Sequence, residues 1–180
     1  MLTTVLIVVA VLILIFVVLV AMQPNEFRVT RSTSIAAPPP VVFGLVNDFH
    51  EWDAWSPWAK MDPNATNTFE DSAAGQGAIF AWSGNKKVGE GRMTILESRP
   101  HELIRIKLEF FKPFKCSNTA EFTFEPEAGG THVTWSMFGK NLLMGKIFGL
   151  FMNMDKMVGK DFEKGLAAIK STAEQTATTA

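Results

Sequence analysis

The residues that could do chemistry are few and widely spaced. The three histidines, His50, His101 and His132, are far apart in the sequence, so a local zinc motif such as H-E-x-x-H does not occur. Cys116 is the single cysteine, which excludes an intramolecular disulfide and a cysteine metal cluster. The chain has no tyrosine. We therefore expect no metal and no cofactor, and no nucleophile is paired with a base.

Two polar side chains remain as candidates for proton transfer or ligand binding. His50 lies in a tryptophan-rich segment and could stand at a pocket mouth, although a role at a helix end or on the surface is simpler. Asn118 could bind a ligand carbonyl or hydroxyl, or it could satisfy a backbone group near a strand end. The neighbouring carboxylates Asp48, Glu51 and Asp53 are typical of helix capping or a solvated surface.

Charge and composition narrow the classes of partner. Lys and Arg total 17 against 18 for Asp and Glu, a net charge of −1, so the basic excess that nucleic acid requires is missing. Fifteen Phe, nine Met and five Trp contribute to a chain that is 47% hydrophobic. This composition favours a protein that buries or binds apolar matter.

Residues 2–22 carry no charge. As a helix, at about 1.5 Å per residue, they would span roughly 31 Å, about one bilayer core. A signal peptide would have a shorter apolar region after a basic start, so we expect an uncleaved transmembrane anchor over residues 2–22. Arg28 and Arg31 follow the span, and the positive-inside rule then favours a cytoplasmic domain.

The remaining chain predicts one domain of strands closed by a long helix, over residues 27–170, with a flexible tail at 171–180. Phe27–Ile35 alternates apolar and polar residues and predicts the first strand. Three prolines then favour a short helix over Val41–Val46. Further strands are predicted at Asn67–Asp71, Gly77–Ser83, Lys87–Ser98, Glu102–Phe110, Lys115–Glu125 and Thr131–Phe138. A helical stripe is formed by Ile147, Phe151, Met154, Val158, Phe162 and Ile169.

Alternation along these strands assigns one solvated face and one covered face. Ile104, Ile106 and Leu108 share a face, while Arg105 and Lys107 lie on the other. The sequence therefore predicts an α+β protein in which a curved antiparallel sheet wraps around the C-terminal helix, preceded by one transmembrane helix.

Glycines leave two interpretations of the covered face. Gly89 and Gly91 share the inward parity of one strand, and the closing helix carries Gly145, Gly149, Gly159 and Gly165. Missing volume there would suit an apolar pocket. The alternative is that these glycines mark sheet bends or close helix approach.

Several segments resemble the polyketide cyclase/dehydrase-like branch of the START/Bet v 1-like (SRPBCC) superfamily. The resemblance covers Phe27 to Lys170 and is carried by Asn47-Asp48 and by the segments Trp52–Trp58, Ala81–Asn85, Val88–Gly91 and Leu150–Phe162. It implies a helix-grip fold with a deep hydrophobic cavity between sheet and helix, and many members carry an N-terminal span. Superfamily members include lipid carriers, plant hormone receptors, aromatase/cyclases and activators of the Hsp90 ATPase, so the fold does not select an activity.

Three hypotheses for function follow. The first is a membrane-anchored binding module for a hydrophobic small molecule such as a lipid or isoprenoid. The second is a cyclase- or hydrolase-type enzyme in which His50, Asn118 or an Asp near the pocket mouth positions a proton transfer. The third is a protein-interaction module anchored by exposed Trp52, Trp55 or Trp58. For the first hypothesis we predict a pocket lined by Trp55, Trp58, Phe80, Trp82, Met93, Ile106, Leu108, Asn118, Phe122, Trp135, Phe148, Phe151 and Met152.

Overall fold

The computed structural model describes residues 1–70 and 72–179. Its elements follow the predicted order, so the prediction of an α+β chain with a closing C-terminal helix is confirmed. They are α1 (Leu2–Ala21), β1 (Glu26–Ile35), α2 (Pro39–Asn47), a 3₁₀ turn (Phe49–Glu51), α3 (Trp52–Trp55), β2 (Thr66–Glu70), β3 (Ile79–Ser83), β4 (Glu90–Arg99), β5 (Leu103–Lys112), β6 (Cys116–Glu127), β7 (Gly130–Lys140), α4 (Leu143–Gly149) and α5 (Met154–Thr179).

The seven strands form one antiparallel sheet. Strands β2 to β7 are joined as a meander, and β1 pairs with β7, which gives the order β1-β7-β6-β5-β4-β3-β2. The pairing of β4 with β5 shifts register between Glu90 and Gly91 and between Ile95 and Glu97. Such irregularities bend a strand and increase its twist, and in this way they contribute to the curvature of the sheet at β4.

Helix α5 runs along the edge strand β1 in the same direction and is fixed to it by polar contacts. The Arg31 guanidinium donates to both carboxylate oxygens of Asp155 at 3.0 and 3.1 Å and to Glu163 at 2.8 Å. Further along, the Ala36 backbone N–H donates to Glu174 at 2.9 Å. Gly159 leaves room for the guanidinium, because a Cβ there would overlap it.

Two tryptophans complete the C-terminal end of α2. The last carbonyls of a helix lack partners within it and must find them elsewhere. The Trp55 indole N–H donates to the Leu45 carbonyl at 2.7 Å, and the Trp52 indole N–H donates to the Val46 carbonyl at 2.9 Å. Both rings are buried, at 7% exposed or less. The tryptophan-rich segment is therefore a helix cap and part of the core.

Helix α1 is exposed along its length except at its C-terminal end, where Val20 is buried. By length and composition it could cross a membrane, and a signal sequence would meet the same criteria. Its end contacts α4. The linker after it is bonded to the same region, since the Lys146 ammonium donates to Asn25 Oδ1 at 2.6 Å and the Asn141 N–H donates to the Asn25 carbonyl at 2.7 Å.

The C-terminal part of the chain differs from the prediction in two ways. The single long helix is divided into α4 and α5, because the Asn153 side chain accepts the Lys156 backbone N–H at 2.9 Å and so caps a new helix. The expected flexible tail is helical instead, and Ala173 is fully buried within it. Asp71, at the end of one predicted strand, and Ala180, at the end of the predicted tail, lie outside the described residues.

Candidate functional site

The inner face of the sheet is filled at the end that packs against α2 and α3. The Trp135 ring stacks on Phe162 of α5 at 3.9 Å between centroids and on Phe122 at 4.8 Å. Trp55 and Trp58 meet Trp135 edge-to-face at 5.7 and 6.0 Å. This end of the inner face is therefore a solid aromatic core.

The other end of the inner face is only half-covered. We call it the open half and define it by Phe80, Trp82, Leu108, Phe110 and Asn118, which are all half-buried. Its rings are in contact, with Phe80 and Trp82 at 6.1 Å and Trp82 and Phe110 at 5.7 Å. The Trp82 indole N–H donates to the Val88 carbonyl at 3.0 Å, so the rest of the ring presents an apolar surface. Apolar side chains that contact one another and are left half-exposed form a surface suited to an apolar ligand.

The open half lies at the end of the sheet where α1 joins. β1 begins at Glu26, after the short linker 22–25 that follows α1, and Glu26 pairs with Lys140 of β7. On the next strand Asn118 pairs with Gly139, and Leu108 pairs with Asn118 in turn. Of the sheet strands, β1 makes the most extensive contact with helix α5.

Neighbouring side chains occupy the space beside the inward glycines. This agrees with the second interpretation, in which the glycines allow a close approach of other groups. A Cβ at Gly91 would lie 2.5 Å from the Trp82 ring, and a Cβ at Gly165 would lie 2.8 Å from the Trp135 ring. Gly89 has a positive φ of 68° in the turn before β4. The space that side chains would fill at Gly91 and Gly165 is therefore occupied by the indole rings of Trp82 and Trp135, and it does not form a cavity in the core.

Few polar groups belong to this face. Asn118 Nδ2 approaches Cys116 Sγ at 4.0 Å, and burial raises the pKa of the Cys116 thiol. Deeper in the core, Trp135 Nε1 is buried and has no hydrogen-bond partner. Asn118 is therefore the amide of the open half that could bind a ligand hydroxyl or carbonyl.

The structure divides the predicted pocket residues into three groups. Trp55, Met93, Ile106, Phe122 and Trp135 are buried in the core. Trp58, Phe80, Trp82, Leu108 and Asn118 are half-buried. Phe148 of α4 and Phe151 and Met152, which lie between α4 and α5, are exposed. Phe110 was missed as a site residue, although it shares the parity of Leu108.

Asp48 and His50, which precede α3, make contacts that stabilise the local fold. Asp48 accepts the His50 backbone N–H at 2.8 Å and caps the 3₁₀ turn, and the His50 ring lies 3.2 Å from the same carboxylate oxygen. That ring is exposed and packs on Phe69 of β2 at 4.3 Å between centroids. Among the described residues, no group of three or more His, Cys, Asp or Glu could hold a metal ion.

A surface pocket of about 270 Å³ lies between α3 and α5, outside the inner face. Its lining includes Ser56, Pro57 and Lys60 on one side and Lys164 and Ala168 on the other. It is shallow and partly polar, so it is a poorer match to an apolar ligand than the open half.

A curved antiparallel sheet that packs around a C-terminal helix, with an apolar inner face, defines a helix-grip protein of the START/Bet v 1-like (SRPBCC) class. The chain belongs to the family described as "Polyketide cyclase / dehydrase and lipid transport", which matches residues 26–174. The resemblance inferred from the sequence is thereby confirmed. No curated protein sequence matches this chain.

Solved structures share the fold at low sequence identity. Protein CV1439 from Chromobacterium violaceum is 16% identical with a TM-score of 0.58, over 84% of this chain and 99% of that one. The di-domain ARO/CYC StfQ from the steffimycin biosynthetic pathway is 12% identical with a TM-score of 0.64, over 86% of this chain and 52% of that one. The Aha1 dimer from Colwellia psychrerythraea is 13% identical with a TM-score of 0.55, over 82% and 96%.

Proposed function

We propose that this protein is a membrane-anchored binding protein for a hydrophobic small molecule, such as a lipid or an isoprenoid, held on the open half of the inner face. The observation that carries the proposal is the half-buried apolar surface of Trp82, Leu108 and Phe110 at the end of the sheet next to α1. The family description, which names lipid transport beside cyclase and dehydrase, supports the same ligand class.

The composition of the surface favours an apolar ligand with a small polar group. Contact with rings and aliphatic side chains stabilises binding by about 25 cal/mol for each Å² removed from water. Asn118 lies on the same strand face and can both donate and accept one hydrogen bond to a headgroup or hydroxyl. The ligand would thus be oriented by one amide and held by apolar contact.

The anchor is the second part of the proposal. Helix α1 has 20 residues, about 30 Å at 1.5 Å per residue, which matches the bilayer core. Arg28 and Arg31 follow it, and the positive-inside rule supports a domain on the cytoplasmic face. A protein fixed in this way meets lipids and isoprenoids at the membrane in which they dissolve.

Native mass spectrometry of the full chain, released from detergent micelles after expression in its host membranes, tests the binding proposal. We expect a bound apolar adduct in the unmodified protein. Leu108→Trp fills the open half and should lower the fraction of protein that carries the adduct. Leu96→Trp is the matched control, since Leu96 is an exposed residue of β4. Equal adduct in the two variants, or none in the unmodified protein, would contradict the proposal.

A cyclase-type enzyme is the second candidate, and the family description is the observation that favours it. The adduct identified above would serve as the substrate to be tested. Loss of turnover in Asn118→Ala or His50→Ala would support this candidate, while unchanged turnover in both would remove its proton-transfer groups.

The tryptophans proposed as anchors of a protein-interaction module are not exposed. Trp52 and Trp55 are buried and donate to α2, so they are not available on the surface. Trp58 is half-buried and its ring meets Phe162 at 6.5 Å.

A further inference from the structure

The segment from α4 to the start of α5 exposes an unusual number of large apolar side chains. Lys146 is its one charged residue between positions 142 and 154. We call this segment, together with Phe114 of the β5–β6 turn, the α4 surface. Phe114 joins it because its ring lies 6.1 Å from that of Phe148. The residues of the segment that are most exposed include Leu142, Leu143, Met144, Phe148, Phe151 and Met152.

We propose that the α4 surface lies in the membrane interface, with its apolar side chains inserted at the boundary between headgroups and acyl chains. The inference rests on the proposed anchoring by α1. It adds a second membrane contact, made by the folded domain itself, which neither the family nor the anchor requires.

Continuity with α1 identifies the bilayer as the occupant of this surface. The C-terminal end of α1 contacts α4, and Val20 is buried there. Three bonds hold the linker against the same region, from Lys146 to Asn25 at 2.6 Å, from the Asn141 N–H to the Asn25 carbonyl at 2.7 Å, and from Asn141 Nδ2 to the Pro24 carbonyl at 3.0 Å.

The length of α1 sets the depth of the α4 surface. Twenty residues fill the hydrocarbon core, so the end of α1 at Ala21 stands at its boundary. A segment that touches this end is held at the same level. Phe151 is 76% exposed and Leu143 is 65% exposed, and at this depth both would face acyl chains and headgroups instead of water.

Charges near the α4 surface fit a position at the headgroups. Lys115 follows Phe114 directly and Lys140 ends β7, and both are exposed. Lysine near a membrane contact can keep its ammonium group among the headgroups while its chain covers apolar surface. The open half begins at the same end of the sheet, so a ligand could pass from the bilayer to Leu108 without crossing bulk water.

Site-directed spin labelling of the full chain in phosphatidylcholine liposomes tests the inference. Cys116→Ser removes the native thiol, and single cysteines are then introduced as Met144→Cys, Met152→Cys, Ala128→Cys and Leu12→Cys. Ala128 is an exposed residue of the β6–β7 turn, at the far end of the sheet, and serves as the matched control. Leu12 lies in the middle of α1 and reports on the anchor. Power saturation compares the accessibility of each label to oxygen and to a water-soluble nickel complex.

We expect labels at 144 and 152 to show an oxygen-to-nickel ratio several-fold above that at 128, with the label at 12 higher still. A high ratio at 12 with 144 and 152 equal to 128 would overturn the α4 surface as a membrane contact and leave the anchor intact. A low ratio at 12 would overturn the anchor and, with it, this inference. The three outcomes are therefore distinguishable in one set of samples.

Discussion

Replacing a tryptophan by phenylalanine should change the hydrogen-bonding contribution to stability in opposite directions at two equally buried positions. Trp55 and Trp135 are 2% and 3% exposed and lie in ring contact, so Trp→Phe removes the same apolar atoms from the same core. The two indole N–H groups differ. That of Trp55 donates to the Leu45 carbonyl at the end of α2, and that of Trp135 has no partner.

The difference between the two variants can be worked from hydrogen bonding. Trp55→Phe leaves a buried carbonyl unpaired, which costs about 1–3 kcal/mol. Trp135→Phe removes a buried donor that already lacks a partner, so a penalty of similar size is relieved. The apolar losses cancel in the comparison. Trp55→Phe should therefore be less stable than Trp135→Phe by at least about 2 kcal/mol, or roughly thirty-fold in the unfolding equilibrium.

Urea unfolding in nonionic micelles, followed by near-ultraviolet circular dichroism, measures this difference. None of the substitutions lies in helix α1, so the contribution of this helix is common to all variants. Trp52→Phe strands the Val46 carbonyl and should behave like Trp55→Phe. Equal losses at 55 and 135, or a larger loss at 135, would refute the idea that the indole N–H groups stabilise α2.

Three further predictions concern single residues elsewhere. Gly44→Ala should stabilise α2 by up to about 1 kcal/mol, because the added Cβ would meet no neighbour. Gly165→Ala should destabilise the protein by about 1–3 kcal/mol, because the added Cβ would press on the Trp135 ring. Thermal unfolding of the two variants measures both effects. Hydrogen bonds from Arg31 hold the pKa of Asp155 below its ordinary value, so the pair stabilises the fold at neutral pH and this contribution is lost as the pH falls below about 4. Asp155→Asn should thus be less stable at pH 7, with a difference in unfolding midpoint that shrinks towards pH 3. Burial raises the pKa of Cys116, so iodoacetamide should modify it faster in urea than in the folded chain at the same pH, and equal rates would contradict this.

Much of the fold could be predicted from local pattern. Alternation along β5 and β6 identified Ile104, Ile106 and Phe122 as inward residues, and all three are fully buried. Prolines 38 to 40 indicated the start of α2. These features depend on a period of two or on a single backbone restriction, both of which can be recognised in one sequence.

The site was less predictable because it depends on contacts between distant segments. That the glycines would be filled by Trp82 and Trp135 is decided by pairing across strands and by the approach of α5. Arg31 shares the inward parity of Val29, yet its partners on α5 are more than 120 residues away. The break at Asn153 followed from one side-chain cap inside a continuous apolar stripe, which the helical period did not reveal.

The pairing of β1 with β7 determines the order in which the protein can assemble. Thr30 and Ser136, whose hydroxyls meet at 3.0 Å, are 106 residues apart in the chain. At about 5–20 residues per second, synthesis separates the emergence of these two strands by roughly 5–20 s. During that interval β1 follows α1 with its backbone N–H and C=O groups unpaired, while β2 to β6 can already form hairpins. The arrival of β7 closes the sheet onto β1, so this last pairing is the step that joins the folded domain to its N-terminal helix.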